Sequence, residues 1–100
     1  MGAAATASRV MCLSEEQTVD AIGIGYHQCG GNGQCVKDGA LTKRLGPGFA
    51  VKGGITAALM AKAGVTGAKN TFEGEWGFYR QYAHGDYSRE ILLADLGKRF

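Results

Sequence analysis

Pro47-Gly48-Phe49-Ala50-Val51-Lys52-Gly53-Gly54-Ile55-Thr56-Ala57-Ala58-Leu59-Met60-Ala61-Lys62-Ala63 is the stretch that decides the fold. It predicts a long helix. Pro47 suits a first helical turn, where its missing N–H is harmless and its φ is already helical. Gly64 and Gly67 follow as stops. Gly53, Ala57 and Ala61 fall at i, i+4 and i+8, a ridge of small residues along which a second helix approaches closely. Such ridges also occur in lipid, but Lys52 and Lys62 argue for a soluble bundle.

Working outward, the upstream sequence predicts two more helices. Gly2 to Leu13 is alanine-rich and helical in propensity, with no clear N-terminal cap. Ser14-Glu15-Glu16-Gln17 reads as a capping box, with two acids at the positive end of the dipole. The helix it starts should run from Glu15 to about Gln28, with Val19, Ile22 and Tyr26 as its apolar stripe, before Cys29-Gly30-Gly31-Asn32-Gly33 ends it. Gln34 to Leu41 fits either a short helix or an extended segment.

Downstream, Asn70 to Tyr82 carries Phe72, Trp76, Phe78, Tyr79 and Tyr82. Stacking on bases or on a ring-bearing ligand is one use for such a cluster, and packing in a core is the other; cations are not interleaved as nucleic acid would require. Ser88 to Leu96 predicts a last helix. The expectation is a single all-α domain over residues 1–100, a compact bundle of about four to six helices.

Composition narrows the function. The chain has 17 glycines in 100 residues, more than twice the usual share of about 7%. Each glycine inside a helix costs about 1 kcal/mol relative to alanine, so close packing or a partner surface must offset them. The net charge of +2 is spread along the chain, which argues against nucleic acid as a partner. No apolar run reaches the roughly 18 to 20 residues that span a bilayer, and the alanine-rich start lacks a signal-peptide pattern. The expected setting is cytoplasmic, with no membrane partner. Cys12, Cys29 and Cys35 are read as free thiols; the spacing of His27, Cys29 and Cys35 is too wide for a usual zinc pair.

Asp38-Gly39-Ala40-Leu41-Thr42-Lys43-Arg44-Leu45-Gly46-Pro47-Gly48 is the candidate for chemistry. Two cations and a hydroxyl precede the expected helix N-terminus, and the glycines admit a ligand close to the backbone. Thr42, Lys43 and Arg44 are the candidate substrate-binding residues. Lys43 is also the candidate catalytic group, provided burial or Arg44 lowers its pKa. A solvated Lys-Arg pair on a surface loop fits the same spacing. Gly23-Ile24-Gly25 and Gly46-Pro47-Gly48 lack the remaining glycine of a dinucleotide fingerprint, and no P-loop or nucleophile elbow is present.

That loop, the small-residue helix after it, Gly64-Val65-Thr66-Gly67, Phe72-Glu73-Gly74 and Gly77-Phe78 together resemble the MmgE/PrpD family, as do the alanine-rich first helix and Leu13 to Asn32. The family includes 2-methylcitrate dehydratase and cis-aconitate decarboxylase. The resemblance implies lyases or isomerases that act on di- and tricarboxylic acids without metal or other cofactor. It further implies a large helical domain, of which this chain would be a part. Lys43 matches the lysine of the family's T-K-R-L-H-P-G motif, which the resemblance places in the active site.

Two departures stand out. Gly46 replaces the motif's usual histidine, and the family's other active-site groups, acidic and histidine groups upstream and a further histidine downstream, have no counterpart here. With the uncapped first helix and the terminal Phe100, this leads to the expectation of a truncated relative that is inactive alone. The other reading is a small non-catalytic helical module that binds a partner or forms a homo-oligomer over its apolar faces.

Overall fold

A computed structural model describes residues 1–98, leaving Arg99 and Phe100 outside the described residues. Six helices and no strands occur among them: α1 (Gly2–Val10), α2 (Glu15–His27), α3 (Gln34–Lys37), α4 (Thr42–Lys62), α5 (Phe78–Ala83) and α6 (Arg89–Leu93). The all-α expectation holds. The chain divides into two compact units, Met1–Lys69 and the residues from Asn70 onward.

In the first unit, α1, α2 and α4 pack against one another. Every fully buried hydrophobic residue named in their core is alanine: Ala4, Ala21, Ala57, Ala58 and Ala61. Such a core buries little apolar area per residue, so its cohesion comes from close backbone approach and dense contact. Gly54 marks the closest approach of α4 to α1, where a Cβ would sit 2.5 Å from the Ala3 Cβ and 2.7 Å from the Ala4 nitrogen. Gly25 of α2 meets Ala4 and Ala57 in the same layer. The expected ridge is therefore present at Ala57 and Ala61, but its tightest point is Gly54 rather than Gly53, which faces the side chain of Gln28.

The start of α4 differs from expectation. The helix begins at Thr42, and Pro47 lies inside it. Tight turns launch it early: the Lys43 N–H donates to the Ala40 carbonyl (3.2 Å) and the Arg44 N–H to the Leu41 carbonyl (2.8 Å). Pro47, one turn further on, cannot donate to the Lys43 carbonyl and its ring crowds that oxygen, so the helix continues through it at a cost in stability.

Helix ends follow local chemistry. Ser14 and Gln17 form the expected capping box, with bonds of 3.1 and 3.2 Å. The helices α1, α3 and α4 end in one pattern, a backbone N–H reaching back five residues beside a left-handed residue: Leu13 to Ser8, Ala40 to Cys35, and Val65 to Met60. Gly39 and Gly64 supply the left-handed residue in two of these, and Cys12 (φ 52°) supplies it in the first.

In the second unit the aromatics pack on one another. Phe72 lies edge-on to Phe78, Phe78 contacts Tyr82, and Tyr79 stacks on Tyr87 with ring centroids 4.2 Å apart. The Tyr87 hydroxyl donates to Glu73, which also pairs with Arg89 at 3.1 Å. Ser88 caps α6 by accepting from the Ile91 N–H. Helix α6 stops at Leu93, three residues before the expected end, as Asp95 turns left-handed (φ 51°).

Candidate functional site

Helix α3 is one turn long, and Gly39 (φ 63°) turns the chain straight into α4. The connection encloses an open depression of about 250 Å³ whose lining includes Cys35, Val36, Lys43 and Arg44. The structure thus brings Lys43 and Arg44 to one concave surface. Thr42 belongs to the same turn but does not line the depression. All three side chains are exposed. What the sequence presents as a loop ahead of a helix is the first turn of the helix itself.

That placement sharpens the electrostatics. Leu41, the N-cap of α4, offers no side-chain acceptor, and no acidic residue occupies the first turn. Two cations sit instead at the positive end of a helix of 21 residues. A charge of the wrong sign there costs about 0.3 to 1 kcal/mol, a cost that a bound anion would reverse. Neither cation pairs with a carboxylate among the described residues. Asp38, close in sequence, accepts from the Gln34 amide at 2.7 Å. Arg44 presents a fork suited to a carboxylate, and Lys43 a compact charge beside it.

Gly46 lies one turn beyond Lys43 on α4, with nothing within 4 Å of where its Cβ would be. Room for the histidine of the family motif is therefore present, and the departure at this position is not imposed by packing.

A second polar cluster lies far from this turn and escaped the sequence reading. Asp20, only 6% exposed on α2, accepts at one carboxylate oxygen from the Gly67 N–H (2.8 Å) and the Lys69 ammonium (2.6 Å). Lys69 and then the Gly67 N–H hold its carboxyl below the ordinary carboxylate value, against a smaller opposing effect of burial. Gly67 and Gly23 press backbone to backbone here, Gly67 onto Asp20 and Gly23 onto Ala68. The cluster ties the segment after α4 to α2, and its shared oxygen is committed to that task. The one signal in the sequence was an acid placed between the apolar Val19 and Ala21. Among the described residues, no three His, Cys, Asp or Glu side chains converge as metal ligands would.

Residues 1–90 match the MmgE/PrpD N-terminal domain. The cis-aconitate decarboxylase-like protein oryM of Aspergillus oryzae is 33% identical over 104 residues, covering 98% of this chain and 21% of that protein. The cis-aconitate decarboxylase of Aspergillus terreus is 30% identical, over 96% of this chain and 20% of its own length. The chain thus spans about a fifth of the length of these curated relatives. No solved structure matches.

Proposed function

This chain belongs to the MmgE/PrpD family, and from that premise we propose that it supplies one wall of a pocket for a di- or tricarboxylic acid and is catalytically incomplete by itself. The observation that carries the reading is the pair Lys43 and Arg44 on the uncapped first turn of α4, lining an open depression with no carboxylate paired to them among the described residues. A substrate carboxylate there would take charge-assisted bonds from both side chains while relieving their repulsion with the helix dipole.

Dehydrating such an acid requires a base for the proton on one carbon and an acid for the hydroxyl leaving its neighbour, and decarboxylating it requires a donor that protonates the carbon from which CO2 departs. The lining of this depression provides cations but neither a histidine nor a carboxylate. Lys43 and Arg44 are therefore assigned to binding and orienting, and Lys43 is the group through which a proton would move if partners were brought to it. The relatives' names, both of which read cis-aconitate decarboxylase, support a lyase of polycarboxylates as the reaction class. A cytoplasmic setting is in keeping with three free thiols, of which Cys12 and Cys29 are exposed.

Calorimetric titration with cis-aconitate and citrate tests the reading. Binding should weaken roughly tenfold or more in Lys43→Ala, the loss of one charge-assisted contact. Equal affinity for parent and variant would remove this turn from the site. Turnover of cis-aconitate or 2-methylcitrate by the chain alone would overturn its incompleteness.

A further inference from the structure

The depression at the start of α4 carries one reactive side chain that anion binding leaves unused, the thiol of Cys35. A fixed backbone path joins it to the cations. The Ala40 N–H donates to the Cys35 carbonyl (2.9 Å), and the Ala40 carbonyl accepts from the Lys43 N–H (3.2 Å). Helix α3 and the first turn of α4 thereby hold the thiol and both cations around one opening. Cys35 is half-buried, and its Sγ has a long, weak contact of 4.0 Å with the Asn32 carbonyl. Cys12 and Cys29 are more exposed, yet neither lines the depression, and the Cys29 thiol donates to the Gly25 carbonyl at 3.4 Å.

Reactive thiols sit in partly exposed, electropositive surroundings, whereas thiols buried among apolar groups are inert. Here Lys43 and Arg44 supply the positive charge, and neither pairs with a carboxylate among the described residues. Asp38, the nearest acid to Cys35 in sequence, is engaged with Gln34. Two unpaired cations beside an opening concentrate anions there over neutral or cationic molecules. A reagent that carries both a carboxylate and a disulfide would be held by the cations and presented to the thiol. An open space of about 250 Å³ admits one arm of such a molecule.

We propose that Cys35 is a modification site for small carboxylate-bearing disulfides, whose carboxylate is seated by Lys43 and Arg44, and that the mixed disulfide so formed closes the depression to free acids. This rests on the reading of Lys43 and Arg44 as an anion seat. The step is a thiol–disulfide exchange. Cys35 gives its proton to solvent and Sγ attacks one sulfur of the reagent; the Sγ–S bond forms as the S–S bond of the reagent breaks, and the departing thiolate takes a proton from water. Cys35 and one half of the reagent end as a disulfide, and the other half leaves as a reduced thiol. A free thiol in solution reverses the exchange by the same route, so the closed state is temporary.

The probes are three aliphatic disulfides of different charge: dithiodipropionate (anionic), hydroxyethyl disulfide (neutral) and cystamine (cationic). Each is reacted with the full chain, and the rate at each cysteine is read by peptide mass spectrometry. At low salt the dithiodipropionate-to-cystamine rate ratio at Cys35 should exceed that at Cys12 and Cys29 by about tenfold, with the difference shrinking as salt rises. In Lys43→Glu/Arg44→Glu that ratio should fall below the ratios at the other two thiols while hydroxyethyl disulfide still reacts at Cys35 at the parent's rate, a combination that misfolding does not produce. Parent labelled at Cys35 by dithiodipropionate should lose citrate binding and regain it with dithiothreitol. A ratio at Cys35 no higher than at the other thiols, or one that charge reversal leaves unchanged, would overturn the proposal even where the parent binds citrate, and the polycarboxylate wall would then stand without it. Citrate binding undiminished by the label would overturn it as well. A high ratio in a parent that binds no citrate would support the thiol site and count against the polycarboxylate wall.

Discussion

Cys12 and Asp20 show how much a single side chain can carry in a molecule with so small a core. Cys12 occupies a left-handed position that glycine fills at the ends of α3 and α4. Because a Cβ there is strained, Cys12→Gly should raise stability by about 1 kcal/mol in chemical denaturation; a loss would mean that the thiol makes a contact of its own. Asp20 has a folded-state pKa below its ordinary value, held there by Lys69 and the Gly67 N–H. Its carboxylate therefore stabilises the fold fully above the unfolded value of about 3.9, and that contribution is lost as pH falls through the folded value. Asp20→Asn should lower the melting temperature at neutral pH, and the gap from the parent should close only as pH falls below the unfolded value of about 3.9 and through the lower folded one. A gap independent of pH would show that shape, not charge, holds the segment. Asp20 was hidden from sequence reading because its partner Lys69 lies 49 residues away, whereas the Ser14 and Gln17 box, spanning three positions, was legible at once.

At the scale of the element, α4 shows what pattern can and cannot reveal. Its small-residue face and its end at Gly64 were written in the order of its residues. Its start was not, because Pro47 is compatible both with a first turn and with an interior position whose lost bond falls near a helix end. The difference matters for the site: Thr42, Lys43 and Arg44 belong to a rigid turn rather than a loop. Gly46 is the weak point of that turn. Gly46→His should stabilise the helix by about 0.5 kcal/mol through propensity alone, since nothing obstructs the new side chain. It should also tighten citrate binding most at pH values below about 6.5, where the imidazole is charged. Tighter binding with no pH dependence would place the ring away from the ligand.

For the whole molecule, a core built from alanine contributes area sparingly, and the stability margin of the first unit should be correspondingly thin. Thin margins make ligand linkage visible. A polycarboxylate that binds only the folded chain, at about 100 times its dissociation constant, adds roughly 2.7 kcal/mol, a shift of several degrees for a domain of this size. Citrate should therefore raise the melting temperature well above the effect of acetate at matched ionic strength, and Lys43→Ala/Arg44→Ala should abolish the difference. Sulfate separates the two sources of the effect. If it stabilises as well as citrate does, the start of α4 is a general anion seat and the selection of polycarboxylates must come from groups that other parts of an MmgE/PrpD protein bring to it. If citrate alone stabilises, the spacing of Lys43 and Arg44 on one turn already selects a ligand with more than one carboxylate.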